Sequence, residues 1–450
     1  MAAAGTTLGV SALSAQSPGA PGKKDKIRVG FIGVGNRGSQ LLGHFMQNPD
    51  AEIAALCDVY EPYALRDRSR VHSRYLGLGR VPQMGEEFGT KVKRFSDFRK
   101  MLEMKDLDAV CIATPDHWHA IQAIQAMEAG KDVYVEKPLT MTIKEGRALV
   151  EVQKKTGRVC AVGLNRRGAS VYRKLAPEIQ GGKIGKVTTA RALRISNMYP
   201  DGIGRMKPEA PPADLDWDMW QGPRAWRDYQ YNIAPYSFRW WSDYSSQMGN
   251  WGVHYMDAIR WMIGETAPVA VTAHGGKYAV QDDRDIPDTM EVFFEFEQGT
   301  IVQFSIHEAS SGGEIAGGGE IELSGTRGNL LASQNGYRIV PARRGQFQTW
   351  DKLAEEESYE LAGNDAHGDL GIKEDSTANL VNDFIECVKT GNEPLCPLED
   401  GHRSTCFAHL ANISLAVGQR IQWDPVRERV TNCEKANELL HYEYRAPWKL

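Results

Sequence analysis

Disulfide scaffolds, zinc sites and membrane spans have little to build on in this chain. Its 450 residues include seven cysteines, Cys57, Cys111, Cys160, Cys387, Cys396, Cys406 and Cys433. None forms a CxxC pair, which argues against a redox dithiol or a zinc ribbon, so no metal site is expected. Those within apolar runs read as buried thiols. No apolar run beyond the first residues has the length of a membrane-crossing helix, and no internal repeat is visible. Charge of one sign is not in excess: the formal net charge is −5 with 25% charged residues, which argues against nucleic acid as the main partner. What remains is globular, with 42% hydrophobic residues over a length that implies two domains.

The first residues stand apart. MAAAGTTLGVSALSAQSPGAPG is small, uncharged and weakly apolar, and Lys23 and Lys24 follow it. It has the core and small-residue cleavage zone of an export signal without the positive start; the alternative is a disordered arm. Residues 1–25 are therefore expected to be an export-signal remnant or such an arm. The protein is expected in the periplasm or otherwise exported, with a cytoplasmic address as the alternative.

Residues 27–58 carry the strongest motif. An apolar run at 27–32 precedes Gly33, Gly35 and Gly38 at the spacing GxGxxG, and a helical pattern opens at Ser39. A second apolar run ends at Asp58. Strand, glycines, helix, strand and terminal acid make up the dinucleotide fingerprint. Gly33 allows the tight turn, Gly35 lets the backbone approach a pyrophosphate, and Gly38 lets helix and strand pack closely. The helix N-terminus presents its N–H groups to phosphate, and Asn36 and Arg37 in the turn before it are expected to bind the cofactor. Asp58 would accept from a ribose diol and repel a 2′-phosphate, which favours NAD over NADP.

Strand and helix patterns alternate to about residue 165, as in a parallel sheet with helical crossovers. Helices are expected at 60–76, 95–104, 120–129 and 143–156. Ligands of such sheets lie at the carboxyl ends of strands, where Thr114, Pro115, His117, Trp118 and His119 fall, and then Glu136, Lys137 and Pro138. Lys137 could donate to a substrate hydroxyl, and beside a positive nicotinamide its pKa should fall, which suits proton transfer. Asn165, Arg166 and Arg167 follow the last parallel strand; they could hold substrate hydroxyls or pair with acids across the domain junction. Beyond them come short strand-like runs with hairpin signals, a mainly antiparallel sheet with helices at 171–179, 250–262, 376–389 and 404–421. Asn250, His254 and Asp257 share one helical face, and His254 is a natural proton acceptor. A tryptophan-dense stretch holds Tyr236 and Arg239. Its aromatics could stack on sugar rings or form core, and one or two of them are expected near substrate. The domains expected are 26–165 for NAD binding, 166–425 for substrate binding and oligomerisation, and 426–450 as a tail.

Gly33-x-Gly35-x-x-Gly38, Thr114-Pro115 followed by His119, Glu136-Lys137-Pro138 and His254-x-x-Asp257 together resemble the Gfo/Idh/MocA family (glucose-fructose oxidoreductase, inositol dehydrogenase, rhizopine catabolism) over about residues 26–425. The resemblance implies an N-terminal Rossmann domain with a parallel sheet and a C-terminal α/β domain with an open, mostly antiparallel sheet whose outer face makes homodimers or homotetramers. It implies NAD-dependent oxidation of a secondary hydroxyl of a sugar, polyol or glycoside, with Lys137 and His254 as the proton-handling pair. One departure is Asn250, where many members carry aspartate; an amide cannot relay a proton. The segment FRWWSDYSSQMGNWGVHYMD is similar to the exported, polysaccharide-degrading branch. Two other functions stay open: a glycosidase that retains its NAD, and a non-catalytic NAD-bound sugar sensor.

Overall fold

Six short strands build the first sheet of the computed structural model: β1 (Ile27–Ile32), β2 (Ala51–Cys57), β3 (Lys93–Phe95), β4 (Ala109–Ile112), β5 (Asp132–Val135) and β6 (Cys160–Val162). The structure describes residues 25–86, 88, 91–312, 315, 319–345, 352–362 and 373–450; all but the last residue of the expected export or disordered arm lies outside them. Every described pairing in this sheet is parallel, and the order is 3-2-1-4-5-6. The chain reverses its direction of winding between β1 and β4, so the crevice at their carboxyl ends is where a ligand of a doubly wound sheet lies.

The helix Asn36–Gln47 starts three residues before the expected Ser39. Its apolar periodicity begins only at Leu41, so its polar first turn leaves no trace in the pattern. The expected helix at 60–76 is broken into Glu61–Leu65, a 3₁₀ turn Arg68–Arg70 and Ser73–Gly77. The break falls at Arg66, which adopts a left-handed conformation (φ 60°). Its buried guanidinium donates to the carbonyls of Val34 and Gln83 and to Glu86. Those long-range bonds outweigh local helix propensity.

Ten strands form the second sheet: β7 (Val187–Ile195), β8 (Ala270–Gly276), β9 (Thr289–Glu295), β10 (Ile301–His307), β11 (Ile321–Gly325), β12 (Gly328–Ser333), β13 (Gly336–Pro341), β14 (Glu357–Glu360), β15 (Ile421–Asp424) and β16 (Arg429–Val430). Their order is 14-13-12-11-7-10-9-8-15-16, antiparallel apart from the β7–β10 pair. Helices Ser170–Gln180, Val253–Ile263 and Leu398–Val417 supply the other wall of its core, where Phe407 meets Phe294 at 5.1 Å between ring centroids. The last of these was expected at 404–421. It stops at Gly418, which takes the left-handed C-terminal position (φ 69°) that glycine adopts without strain, and Ile421 opens β15 instead.

Helix Ser376–Thr390 leaves the second sheet and packs on the first, with Phe384 against Phe45 and Tyr134. Residues 426–450 also return to the first sheet's side: Tyr444 Oη donates to Glu145 at 2.6 Å, and Trp448 meets Trp118 edge-on at 4.7 Å. Among the described residues no helix is long and apolar enough to cross a membrane.

Candidate active site

The turn after β1 is shaped by what a side chain would strike. Gly33 has φ +83°, and a Cβ there would lie 2.8 Å from the Thr114 backbone nitrogen at the end of β4. A Cβ on Gly38 would lie 2.1 Å from the Gly33 carbonyl oxygen. Only glycine permits the first conformation cheaply, and only glycine permits the second approach. Gly35 caps the helix Asn36–Gln47 without a side-chain hydrogen bond, and the first turn carries no acid. The helix thus offers unpartnered N–H groups and the positive end of its dipole to the crevice. Asp58 closes β2, accepting from the backbone N–H groups of Val34 and Tyr60 at 2.9 Å each. Burial pushes its carboxyl up to about 6 against those donors.

Gly33, Gly35, Asn36, Arg37 and Asp58 line one cleft with Thr114, Pro115, Trp118, Glu136, Lys137, Tyr236, Arg239 and Asn250. Gly38 stands behind it and sets its geometry. The glycine cradle, the uncapped helix end and the acid at the end of β2 fit a dinucleotide. The cleft runs from that cradle to the ends of β4 and β5.

At that far end Glu136 accepts from Arg37 Nε at 2.8 Å, an ion pair across the switch point. Next to it Lys137 Nζ donates to the Asn250 backbone carbonyl at 2.7 Å and lies 3.3 Å from Asn250 Oδ1. Burial lowers the Lys137 ammonium to about 8, more than the carboxylates of Glu136 and Asp116 raise it. An amine that exchanges its proton near neutral pH is suited to general acid–base work. Asn250 reaches it from an unexpected conformation. Residues Met248–Gly252 form a π-helical turn before the α-helix Val253–Ile263, so the α-helical register expected from 250 does not hold. Turns of this kind recur at functional sites.

Several expected site residues turn elsewhere. His117 does not line the cleft: its Nε2 lies 2.9 Å from the Trp220 carbonyl, and burial lowers its pKa to about 3. His119 spans the carbonyls of Pro138 (2.7 Å) and Thr114 (2.9 Å), tying the two strand-end loops together. Arg166 is spent on Glu320, at 3.0 and 3.1 Å, and lies over the Tyr255 ring. Arg167 pairs with Asp257. These are the cross-junction pairs that the sequence left open, and they remove Arg166 from the substrate set. Asn165 also lies away from the cleft lining, with Oδ1 buried and unpartnered. His254 is buried, its Nδ1 has no partner, and it is absent from the lining. Burial, then the charge of Lys137, lowers its pKa well below the ordinary value. The lowered pKa keeps the ring neutral, the form that accepts a proton, but of the expected proton-handling pair only Lys137 lines the cleft.

Of the tryptophan-rich segment, Trp220 reaches the cleft, and so do Tyr236 and Phe238. Trp217 stacks on Trp220 at 4.7 Å, and Tyr229 joins Tyr75 through their hydroxyls at 2.7 Å. Most of that segment is therefore core. Sequence reasoning missed Tyr63, Arg80, Asp116 and Gln122, which also line the cleft. Asp116 carried a signal: it is an acid at a strand's carboxyl end, between Pro115 and His117. Arg80 carried none, sitting in an irregular segment.

Three family models match the sequence: the oxidoreductase family's NAD-binding Rossmann fold at 27–164, the GFO/IDH/MocA C-terminal domain at 172–331, and the oxidoreductase family's C-terminal alpha/beta domain at 371–450. A Glycosyl hydrolase family 109 protein from Shewanella pealeana is 38% identical over 138 residues, 31% of this chain and 28% of that protein. The match thus spans less than a third of that curated relative. A levoglucosan dehydrogenase in complex with NADH and L-sorbose superposes with a TM-score of 0.62 at 20% identity, covering 89% of this chain and 99% of that one. An aldose-aldose oxidoreductase from Caulobacter crescentus gives 0.59 at 17%, covering 88% and 99%. These two likenesses show the fold.

Proposed function

The chain belongs to the Gfo/Idh/MocA oxidoreductase family, and from that premise we propose that it oxidises a secondary hydroxyl of a sugar, polyol or glycoside with NAD. One observation carries the reading: a glycine-fronted, uncapped helix end and a lysine lowered to about 8 open into the same cleft. NAD, when bound, supplies the two-electron acceptor that takes hydride from the alcohol carbon. Gly33, Gly35 and the first turn of helix Asn36–Gln47 would hold its pyrophosphate, and Asp58 its ribose. Lys137 Nζ takes the proton that leaves the oxygen as the carbonyl forms. Asn250 positions that amine through its backbone and side-chain oxygens. We assign His254, four residues further on, to hydrogen bonding in its neutral form. The test is spectrophotometric reduction of NAD over a panel of sugars and glycosides. Turnover by the wild type is expected, and protein that binds NAD but reduces none of it on any member counts against the reading.

The relative named for glycoside hydrolysis favours a second reading, a glycosidase that keeps its NAD. There the same oxidation acidifies a neighbouring C–H, elimination expels the aglycone, water adds, and the carbonyl is reduced again. Aglycone release without net NADH, from protein as purified, is the outcome that would select it. A sugar sensor is the third, and Lys137→Ala protein with unchanged sugar affinity, alongside a wild type that turns nothing over, would select that. Composition at residues 1–25 and the family resemblance support two further proposals, export and assembly as a homodimer or homotetramer. Cell fractionation and light scattering test them, and a cytoplasmic monomer would overturn both.

A further inference from the structure

The charges lining the cleft do not balance once their partners are assigned. Arg37 and Glu136 pair at 2.8 Å. Asp58 accepts from backbone N–H groups and Asp116 from Ser245, neutral donors that leave both charges in place, so the lining holds four cations, Arg37, Arg80, Lys137 and Arg239, against three carboxylates. Lys137 is held by Asn250. Arg80 and Arg239 are left, both in the lining and both without a carboxylate in ion-pair range among the described residues. Their guanidiniums lie 5.0 and 4.3 Å from the centroid of one ring, that of Tyr236. The hydrogen bond Arg239 makes runs from Nη1 to the Tyr236 carbonyl at 2.7 Å, which anchors the guanidinium of this cleft-lining residue. Arg80 is exposed and Arg239 half-buried, and two like charges drawn to one ring disfavour each other. An anion arriving between them relieves both.

The location says which anion. Arg239 lies in the electrostatic neighbourhood of Asp116 and Lys137, at the reacting end of the cleft. The cofactor's phosphates belong at the other end, by Gly33 and Gly35. We propose that the substrate is an anionic saccharide, a hexuronic acid or a sulfated sugar, whose anionic group docks on Arg239 with Arg80 adding the second charge. A planar guanidinium binds carboxylate or sulfate through two parallel N–H donors, and the Tyr236 ring offers a face for the sugar. This rests on the oxidoreductase reading above and narrows its substrate class.

The experiment compares matched probes on NAD-loaded protein by calorimetry and by turnover: methyl β-glucuronide, methyl β-glucoside 6-sulfate and neutral methyl β-glucoside. One of the two anionic probes is expected to bind on the order of 100-fold tighter than the neutral one, and which of them does so identifies the anion. Arg239→Gln should erase that advantage and leave NAD affinity within about twofold, since the cradle for phosphate is main chain. Should Arg239→Gln fail to fold, Arg239→Lys keeps the charge but loses the planar fork, and it should forfeit most of the preference. Equal affinity for anionic and neutral probes would overturn the inference while leaving the oxidoreductase reading intact. So would an Arg239→Gln protein that loses NAD affinity and keeps the anionic preference, because the guanidinium would then serve the cofactor. Anionic preference without turnover would sink the oxidoreductase reading and uphold the anion site.

Discussion

One end of the cleft is shaped by the backbone around Gly33 and Gly35, while the other is lined by side chains brought together from positions 137, 236, 239 and 250. The first end depends on the absence of Cβ atoms. The second depends on particular polar atoms arriving from segments more than a hundred residues apart, as Lys137 and Asn250 do. A main-chain site is part of the fold, so damage to it is damage to stability. A side-chain site hangs on the fold, so it can be disarmed while the protein stays folded.

The largest effect expected from that contrast is at Lys137. Lys137→Ala should lower kcat about 1000-fold, as for loss of a positioned proton acceptor. It should leave the thermal midpoint unchanged or raised, because a buried ammonium with a depressed pKa is poorly accommodated. Steady-state kinetics beside a melting curve measures both, and a large loss of stability would break the contrast. Arg166→Gln should do the reverse. It strands Glu320 and should cost about 3 kcal/mol of stability with KM for sugar unchanged, as chemical denaturation and kinetics would show. Gly38→Ala comes next. Its Cβ would collide with the Gly33 carbonyl, and overpacking of this kind costs about 2 kcal/mol. NAD affinity should fall with it, measured by titration.

Part of this contrast is legible in the sequence, for a physical reason. Exclusion of a Cβ leaves a glycine at a fixed spacing, so Gly33 and Gly38 announce the turn, and apolar runs announce β1, β2, β4 and β5. The open second sheet is legible from alternation and turn residues. The π-turn at Met248–Gly252 is not, because it uses the same residue types as an α-helix. Nor is the loss of Arg166 to Glu320, since the two partners lie 154 positions apart. His117 and His119 show the same limit: composition places them at a strand end, but only packing turns their nitrogens toward the carbonyls of Trp220, Pro138 and Thr114 rather than into the cleft. Arg80 entered the site unannounced for the same reason, whereas Asp116, an acid at a strand's carboxyl end, could have been read.

The smallest expected effect separates the two ends by pH. The Asp58 carboxyl, raised to about 6, loses one acceptor oxygen and its charge on protonation, so NAD affinity should weaken as pH falls through about 6. The Lys137 amine, lowered to about 8, accepts a proton only when neutral, so turnover should rise as pH climbs through about 8. Each limb should change about tenfold per pH unit, and titration of NAD binding beside a pH–rate profile reads them separately. A single shared midpoint would merge two ends that the structure keeps apart.

We propose that this cleft takes hydride from a saccharide carbon while Lys137 takes the proton. The most direct test is to incubate the NAD-loaded protein with saccharides deuterated at their ring carbons and to weigh the cofactor extracted afterwards. The wild type is expected to yield cofactor bearing one substrate deuterium, and Lys137→Ala, equally loaded with NAD, almost none. Cofactor that stays unlabelled in the wild type across neutral and anionic saccharides alike would contradict it.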